Sequence, residues 1–263
     1  MPFRRLLPVL ATVLLFTIPA EAQQLSAPTQ RDAQALAVLQ NAVAAMGGTA
    51  AVSQVADTVI TGNIQSSPGS AAQASTFKWE TSGQNFRYEF QSGTTTQVFV
   101  SGHGNPANAR NGTVKALSPL IALANPPLHF PGLVLAPILT NSNYSVTSGG
   151  KMTVNGVPAI KIHVFLNTDM LSALVSAQDW YFDAVSGLPL RVEHRLPDNR
   201  RPENYVQATD DFADFRVVSG LLVPFKITSY ESGALVAVET ITSVSFNNGL
   251  SSTEFDVPAG GAL

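Results

Sequence analysis

After Asp57 the chain breaks into short runs in which apolar and polar side chains alternate. In FRYEFQ, Phe86, Tyr88 and Phe90 share one side while Arg87, Glu89 and Gln91 share the other. STFKWET repeats the pattern with Phe77 and Trp79. AIKIHVFLN sets Ile160, Ile162, Val164 and Leu166 against Lys161, His163 and Phe165, and LPLRVEHR sets Leu190, Val192 and His194 against Arg191, Glu193 and Arg195. A period of two is the signature of a strand with one buried face. Turn signals separate the runs: TSGQN, QSGTT, VNGVP, AVSGLP, DNRRPEN, VVSGL and ESGAL, with Asn155-Gly156 the strongest hairpin signal. The spacing predicts about ten to twelve antiparallel strands. Before Asp57 the period is helical. Thr29-Gln-Arg-Asp32 resembles a capping box, Leu36, Leu39, Val43 and Met46 follow at helical spacing, and Gly47-Gly48 ends the helix. TAAVSQVAD adds a further turn or two.

One stretch fits neither period. No charged side chain lies between Lys115 and Lys151, and within it SPLIALANPPLHFPGLVLAPIL (Ser118 to Leu139) is almost wholly apolar. Prolines at 119, 126, 127, 131 and 137 remove backbone donors and interrupt any continuous helix. A bilayer offers no water to satisfy the freed groups, so this is not a membrane span. It reads as two short apolar helical pieces, around Leu120–Ala124 and Gly132–Leu139, lying between two groups of strands. A large amphipathic sheet has an apolar face that must be covered, and residues 116–140 are the natural lid. Lid and N-terminal helix either fill the concave face as ordinary core or close it incompletely over an apolar pocket.

Composition narrows the field. MPFRRLLPVLATVLLFTIPAEA has Arg4 and Arg5, an apolar run from Leu6 to Ile18 and an Ala20-Glu21-Ala22 cleavage pattern, so residues 1–22 read as a secretory signal peptide. The alternative, a retained anchor, has an apolar run short of the roughly 20 residues a spanning helix needs. Residues 23–263 then form a single domain, with no linker or fixed-period repeat to divide them and no transmembrane segment. The whole chain carries a net charge of −3, and charged residues make up 13% of it; there is no basic stripe for nucleic acid. The absence of cysteine excludes disulfides, thiolate metal sites and a cysteine nucleophile together.

Catalytic signals are weak. There is no G-x-S-x-G elbow and no H-E-x-x-H, and His103, His129, His163 and His194 are scattered. Asp210, Asp211 and Asp214 are the best candidates for a hard cation, against a solvated strand face. Arg200 and Arg201 suit an anionic headgroup or a solvated hairpin tip. No catalytic residue, metal site or cofactor is assigned.

The chain resembles the LolA-like fold of bacterial exported proteins, the group containing the lipoprotein carrier LolA, LolB and the RseB sensor domain. The resemblance is carried by DWYFDAVSGLPLRVEHR, by DFADFRVVSGLLVPFKITSYESGALVAVETITSVSFNNGLSSTEFDVP and by AVAAMGGTAAVSQVADTVITGNI. It implies an incomplete antiparallel β-barrel wrapped round a covering N-terminal helix and a central helical lid. It further implies a periplasmic, non-catalytic carrier of lipid or of lipoprotein acyl chains, with envelope proteins as further partners and full secretion as the alternative address. On that reading Phe77, Trp79, Phe86, Tyr88 and Phe90 line the concave wall. Leu120, Leu123, Leu128, Phe130, Leu133, Leu135 and Leu139 form the movable cover, with hinges at Pro126-Pro127 and Gly132. The competing reading is a protein-interaction or envelope-sensing module with a filled cavity, working through a strand edge or the loops at Gly102–Gly112 and Asp198–Glu203; a hydrolase is the third.

Overall fold

The computed structural model describes residues 28–66, 75–119, 124, 127–197, 205–257 and 261–262; residues 1–22, expected to be a signal peptide, and the arginines at 200 and 201 lie outside them. Six strands follow the opening helices: β1 (Asp57–Ser66), β2 (Ser75–Ser82), β3 (Asn85–Ser92), β4 (Thr95–Gly102), β5 (Asn105–Arg110) and β6 (Thr113–Ala116). After the charge-free stretch come β7 (Tyr144–Val154), β8 (Val157–Leu166), β9 (Gln178–Asp183), β10 (Pro189–Pro197), β11 (Tyr205–Val218), β12 (Leu221–Glu231) and β13 (Ala234–Phe246). Within each group every strand pairs antiparallel with the next, and the β1–β13 ladder joins the two groups. A two-residue strand, β14 (Gly261–Ala262), adds in parallel to β6. The sheet runs from β14 and β6 at one edge to β7 at the other without closing. It is an incomplete barrel covered by helices.

The thirteen antiparallel strands among the described residues slightly exceed the ten to twelve expected from the sequence, partly because SGHGNPANARNG, read as a loop, contains β5. His103-Gly104 and Asn111-Gly112 both take positive φ at successive residues, the geometry of a two-residue hairpin turn, as Asn155-Gly156 does. A second difference lies in β10. Leu190 is an extra residue between the pairs Pro189–Phe182 and Arg191–Tyr181, a bulge that turns it away from Val192 and His194 and onto Tyr181 and Val154 of the convex face.

Helix α1 (Ala33–Ala45) starts one residue after Asp32, whose carboxylate accepts from the Gln34 N–H; the cap is therefore Asp32, not Thr29. Leu39, Val43 and Met46 of its apolar stripe are fully buried. Helix α2 (Thr49–Ser53) follows, and α3 (Pro131–Thr140) opens on Pro131, which suits the first helical turn. Both α1 and α3 pack on the concave face, where Leu39, Leu135, Ile138, Trp180, Phe182, Phe212, Val223 and Ile241 belong to one continuous core. Helix α4 (Met170–Ser176), capped by Asp169, is an element the apolar spacing did not reveal. On the convex face the 3₁₀ turn Ser252–Phe255 lays Phe255 over Val98, Val100, Ala107 and Ala109.

Candidate ligand-binding site

The centre of the concave face is solid, because α1 and α3 fill it. Their cover is incomplete to either side. A cavity of about 430 Å³ opens between α2, α3 and the β1–β2 end of the sheet, walled by Val52, Val55, Leu133, Ala136 and Pro137. Among the described residues its one charged group is Asp57, which is already committed. Burial pushes the Asp57 carboxyl up, but the backbone N–H groups of Asn248, Gly249 and Leu250 and the Asn248 side chain all donate to it and hold it below the usual carboxylate range.

On the other side of the lid lies a smaller cavity of about 170 Å³, between β2, β10–β13 and the residues leading into α3. Leu128, Leu196, Ala208, Ile227 and Val236 give it apolar walls. Its polar end is built from two histidine–carboxylate pairs. His129 Nε2 lies 2.6 Å from Glu239 Oε2, and the Tyr88 hydroxyl donates to the other Glu239 oxygen at 3.1 Å. His194 Nε2 lies 2.9 Å from Asp210 Oδ2, and the Ser229 hydroxyl donates to Asp210 Oδ1. Burial and the Glu239 charge push the Tyr88 phenol up, so it remains a donor. The His129 ring stacks on Trp79 with centroids 4.6 Å apart, and Trp79 stacks in turn on Phe86 at 5.4 Å.

The lid is fastened at its C-terminal end by a residue that no sequence pattern singles out. The Arg31 guanidinium donates to the carbonyls of Ile138, Leu139, Asn141 and Tyr144. Four C-terminal carbonyls of a helix have no intrahelical donor, and a cation at that end also meets the negative pole of the helix. The adjacent backbone of residues 30–32 bonds to Val146, so Arg31 is itself anchored to β7.

Of the wall residues expected from sequence, Phe77, Trp79 and Phe86 are buried on the concave face and Tyr88 and Phe90 are half-buried on β3. Only Trp79 among these five borders the smaller cavity. Of the lid residues, Leu128 borders the smaller cavity and Leu133 the larger, while Phe130 and Leu135 are fully buried core and Leu139 packs against it. Leu120 and Leu123 lie outside the described residues, as do Pro126 and the loop at 198–203. Gly132 sits inside α3, where a Cβ would stand 2.9 Å from the Phe130 ring, so close packing requires the glycine. Sequence reasoning missed Glu239, whose signal is legible in retrospect: in GALVAVETITSVSF a carboxylate occupies the inward parity shared by Ala237 and Ile241.

The aspartate cluster does not assemble. Asp210 faces His194 on the concave side, Asp211 forms a two-point ion pair with Arg191, and Asp214 pairs with Arg216. Alternation along β11 and the positive φ of Asp214 send the three apart, so they do not share one face; Asp210 and Asp211 are half-buried and Asp214 is solvent-exposed. Among the described residues no group of three or more His, Asp or Glu is placed to hold a metal ion. The Ser229–Asp210–His194 chain also has the wrong order for a serine nucleophile, because the carboxylate sits between hydroxyl and imidazole instead of behind the imidazole.

The overall fold recurs in solved structures. No family model matches the sequence, and no curated protein matches it. A LolA superfamily protein from Nitrosomonas europaea superposes with a TM-score of 0.56 at 12% identity, covering 85% of this chain and 97% of that one. The chain has the LolA-like fold. A domain assigned to outer-membrane lipoprotein sorting, from Vibrio parahaemolyticus, gives 0.53 at 14% identity over 84% of this chain and 95% of its own. A DUF1329 family protein from Desulfovibrio piger gives 0.50 at 12% identity, covering 84% and 96%. In the LolA-like chain described here no helix among the described residues is long and apolar enough to cross a membrane.

Proposed function

We propose that the protein is an exported, non-catalytic binder or carrier of an apolar ligand, a lipid or a protein-linked acyl chain, held beneath the lid of the LolA-like sheet. The observation that carries this reading is the 430 Å³ apolar cavity whose wall is the lid itself. Each buried methylene contributes about 0.8 kcal/mol, and displacement of α3 would extend the cavity into the space α3 now fills. Leu133 is the lid residue that meets the ligand first. The leader-like residues 1–22 and the fold of the similar sorting domain support an envelope location and envelope proteins as further partners. Residues 23–263 act as one domain in this account.

Native mass spectrometry of the protein purified from its own cell envelope tests the reading. A bound lipid or acylated peptide is the expected result. A clean apo mass, unchanged after incubation with phospholipid vesicles, overturns it. A second reading, a protein-recognition module, is favoured by one observation: Leu39, Val43, Leu135 and Ile138 make the centre of the concave face solid core. Under it the apo mass is the expected one.

A further inference from the structure

From Phe90 to Thr168 the chain contains no acidic residue, although its net charge is −3. Two of the basic residues in that span, Arg110 and Lys115, meet on the sheet. Val98, Val100, Ala107, Ala109 and Val114 turn to the convex face around Phe255. Alternation therefore sends Gln97, Phe99, Asn108, Arg110, Thr113 and Lys115 to the concave face. Register places Gln97, Arg110 and Thr113 side by side across β4, β5 and β6, with Phe99, Asn108 and Lys115 in the adjacent row. Arg110 and Lys115 are thus diagonal neighbours, a spacing of about 7–8 Å that long side chains can bridge.

Both are exposed, and with Gln97, Asn108 and Thr113 they border an open recess of about 520 Å³. Lys78, Arg87, Lys161, Arg191 and Arg216 each hold a carboxylate. Arg110 and Lys115 hold none among the described residues, and no carboxylate among those residues borders the recess. Like charges set side by side on a sheet repel, a cost that a bound anion removes. The surrounding side chains supply donors: a guanidinium fork, an ammonium, two amide NH₂ groups and a hydroxyl. A tetrahedral phosphate matches that set, since it offers several acceptor oxygens and suits charge-assisted hydrogen bonds. A carboxylate would bring a single charge to two cations. The half-buried rings of Phe90 and Phe99 stand in register with Gln97 and Asn108, so apolar surface adjoins the cationic end.

We propose that Arg110 and Lys115 form a phosphate-binding site on the concave face of β4–β6, taking a phosphate ester as a lipid headgroup or free in solution. The site stands independently of the carrier reading. The larger cavity borders the β2–β3 turn, whereas the recess borders the β5–β6 turn at the other end of the strands. Three probes are titrated against the full mature chain at low ionic strength. Dihexanoyl phosphatidic acid carries both chains and phosphate, dihexanoylglycerol the chains alone, and glycerol 3-phosphate the phosphate alone. The phosphatidic acid should bind at least about tenfold tighter than dihexanoylglycerol, a factor of ten being about 1.4 kcal/mol. Added salt should shrink that advantage, because exposed charges are screened. Arg110→Gln combined with Lys115→Gln should abolish it without lowering the melting temperature. Lys151→Gln combined with Lys226→Gln removes the same charge from exposed positions outside the recess and should leave the advantage intact. Glycerol 3-phosphate binding that is lost in the first pair and kept in the second supports the site and names a soluble phosphate ester as its source. Binding of the phosphatidic acid alone supports it and names a lipid headgroup. The assignment is overturned by equal affinity for the two lipids, or by a phosphate advantage that survives the first pair or falls equally in both. The carrier reading then still stands on its own test.

Discussion

Asp57 shows how one side chain can hold two ends of a chain together. Its carboxylate collects the turn at Asn248–Leu250 while standing at the start of β1. Because the folded carboxyl titrates below its unfolded value, its stabilisation is complete at neutral pH and disappears as acid protonates it below about pH 4. Asp57→Asn should therefore lower the melting temperature at pH 7, and the gap to wild type should narrow progressively as the pH falls below about 4; a gap independent of pH would assign the effect to packing. Gly62 makes a different demand. A Cβ there would lie 2.4 Å from the Thr240 carbonyl and 2.6 Å from the Phe77 ring. Gly62→Ala should destabilise by about 1–3 kcal/mol, read by urea denaturation. At this scale the sequence was legible wherever parity decided burial, as with Phe77, Trp79, Phe86 and Val192. It was silent where a bulge reversed parity, as at Leu190.

Among the elements, lid helix α3 is the most dependent on a single outside residue. Arg31→Ala removes the guanidinium from the carbonyls of Ile138, Leu139, Asn141 and Tyr144, of which Asn141 keeps the Tyr144 N–H. The expected cost is about 1–3 kcal/mol, with faster amide hydrogen exchange across 131–140 and little change in β9–β12. Uniform acceleration throughout the protein would mean that Arg31 supports the whole fold and not the lid. The apolar run and its prolines made the lid itself legible. Its fastening was not, since Arg31 lies more than a hundred residues from every partner and no local pattern encodes that encounter. The polar cavity was half legible: His194 shared the inward face of Val192, yet the pairing with Asp210 needs the β10–β11 register.

Across the whole molecule, the sheet's concavity leaves room beside the lid where neither helix reaches. Leu133→Asp places a charge on the wall of the larger cavity and should weaken uptake of a fluorescent fatty acid about tenfold or more, with a lower melting temperature but an unchanged β circular-dichroism spectrum at about 25 °C. Unaltered uptake would move the acyl site elsewhere. The topology has one further consequence. Strands β1–β6 and β7–β13 are two self-contained meanders, their one ladder joining residues as distant as Thr58 and Phe246, and the charge-free stretch ties the far edge of one to the far edge of the other. That stretch works as a tether, setting the effective concentration at which the halves meet. Local pairings precede distant ones in folding, so each meander should form before the joint. A single proteolytic cut in the tether should convert a concentration-independent fold into two fragments that complement each other only when mixed at sufficient strength.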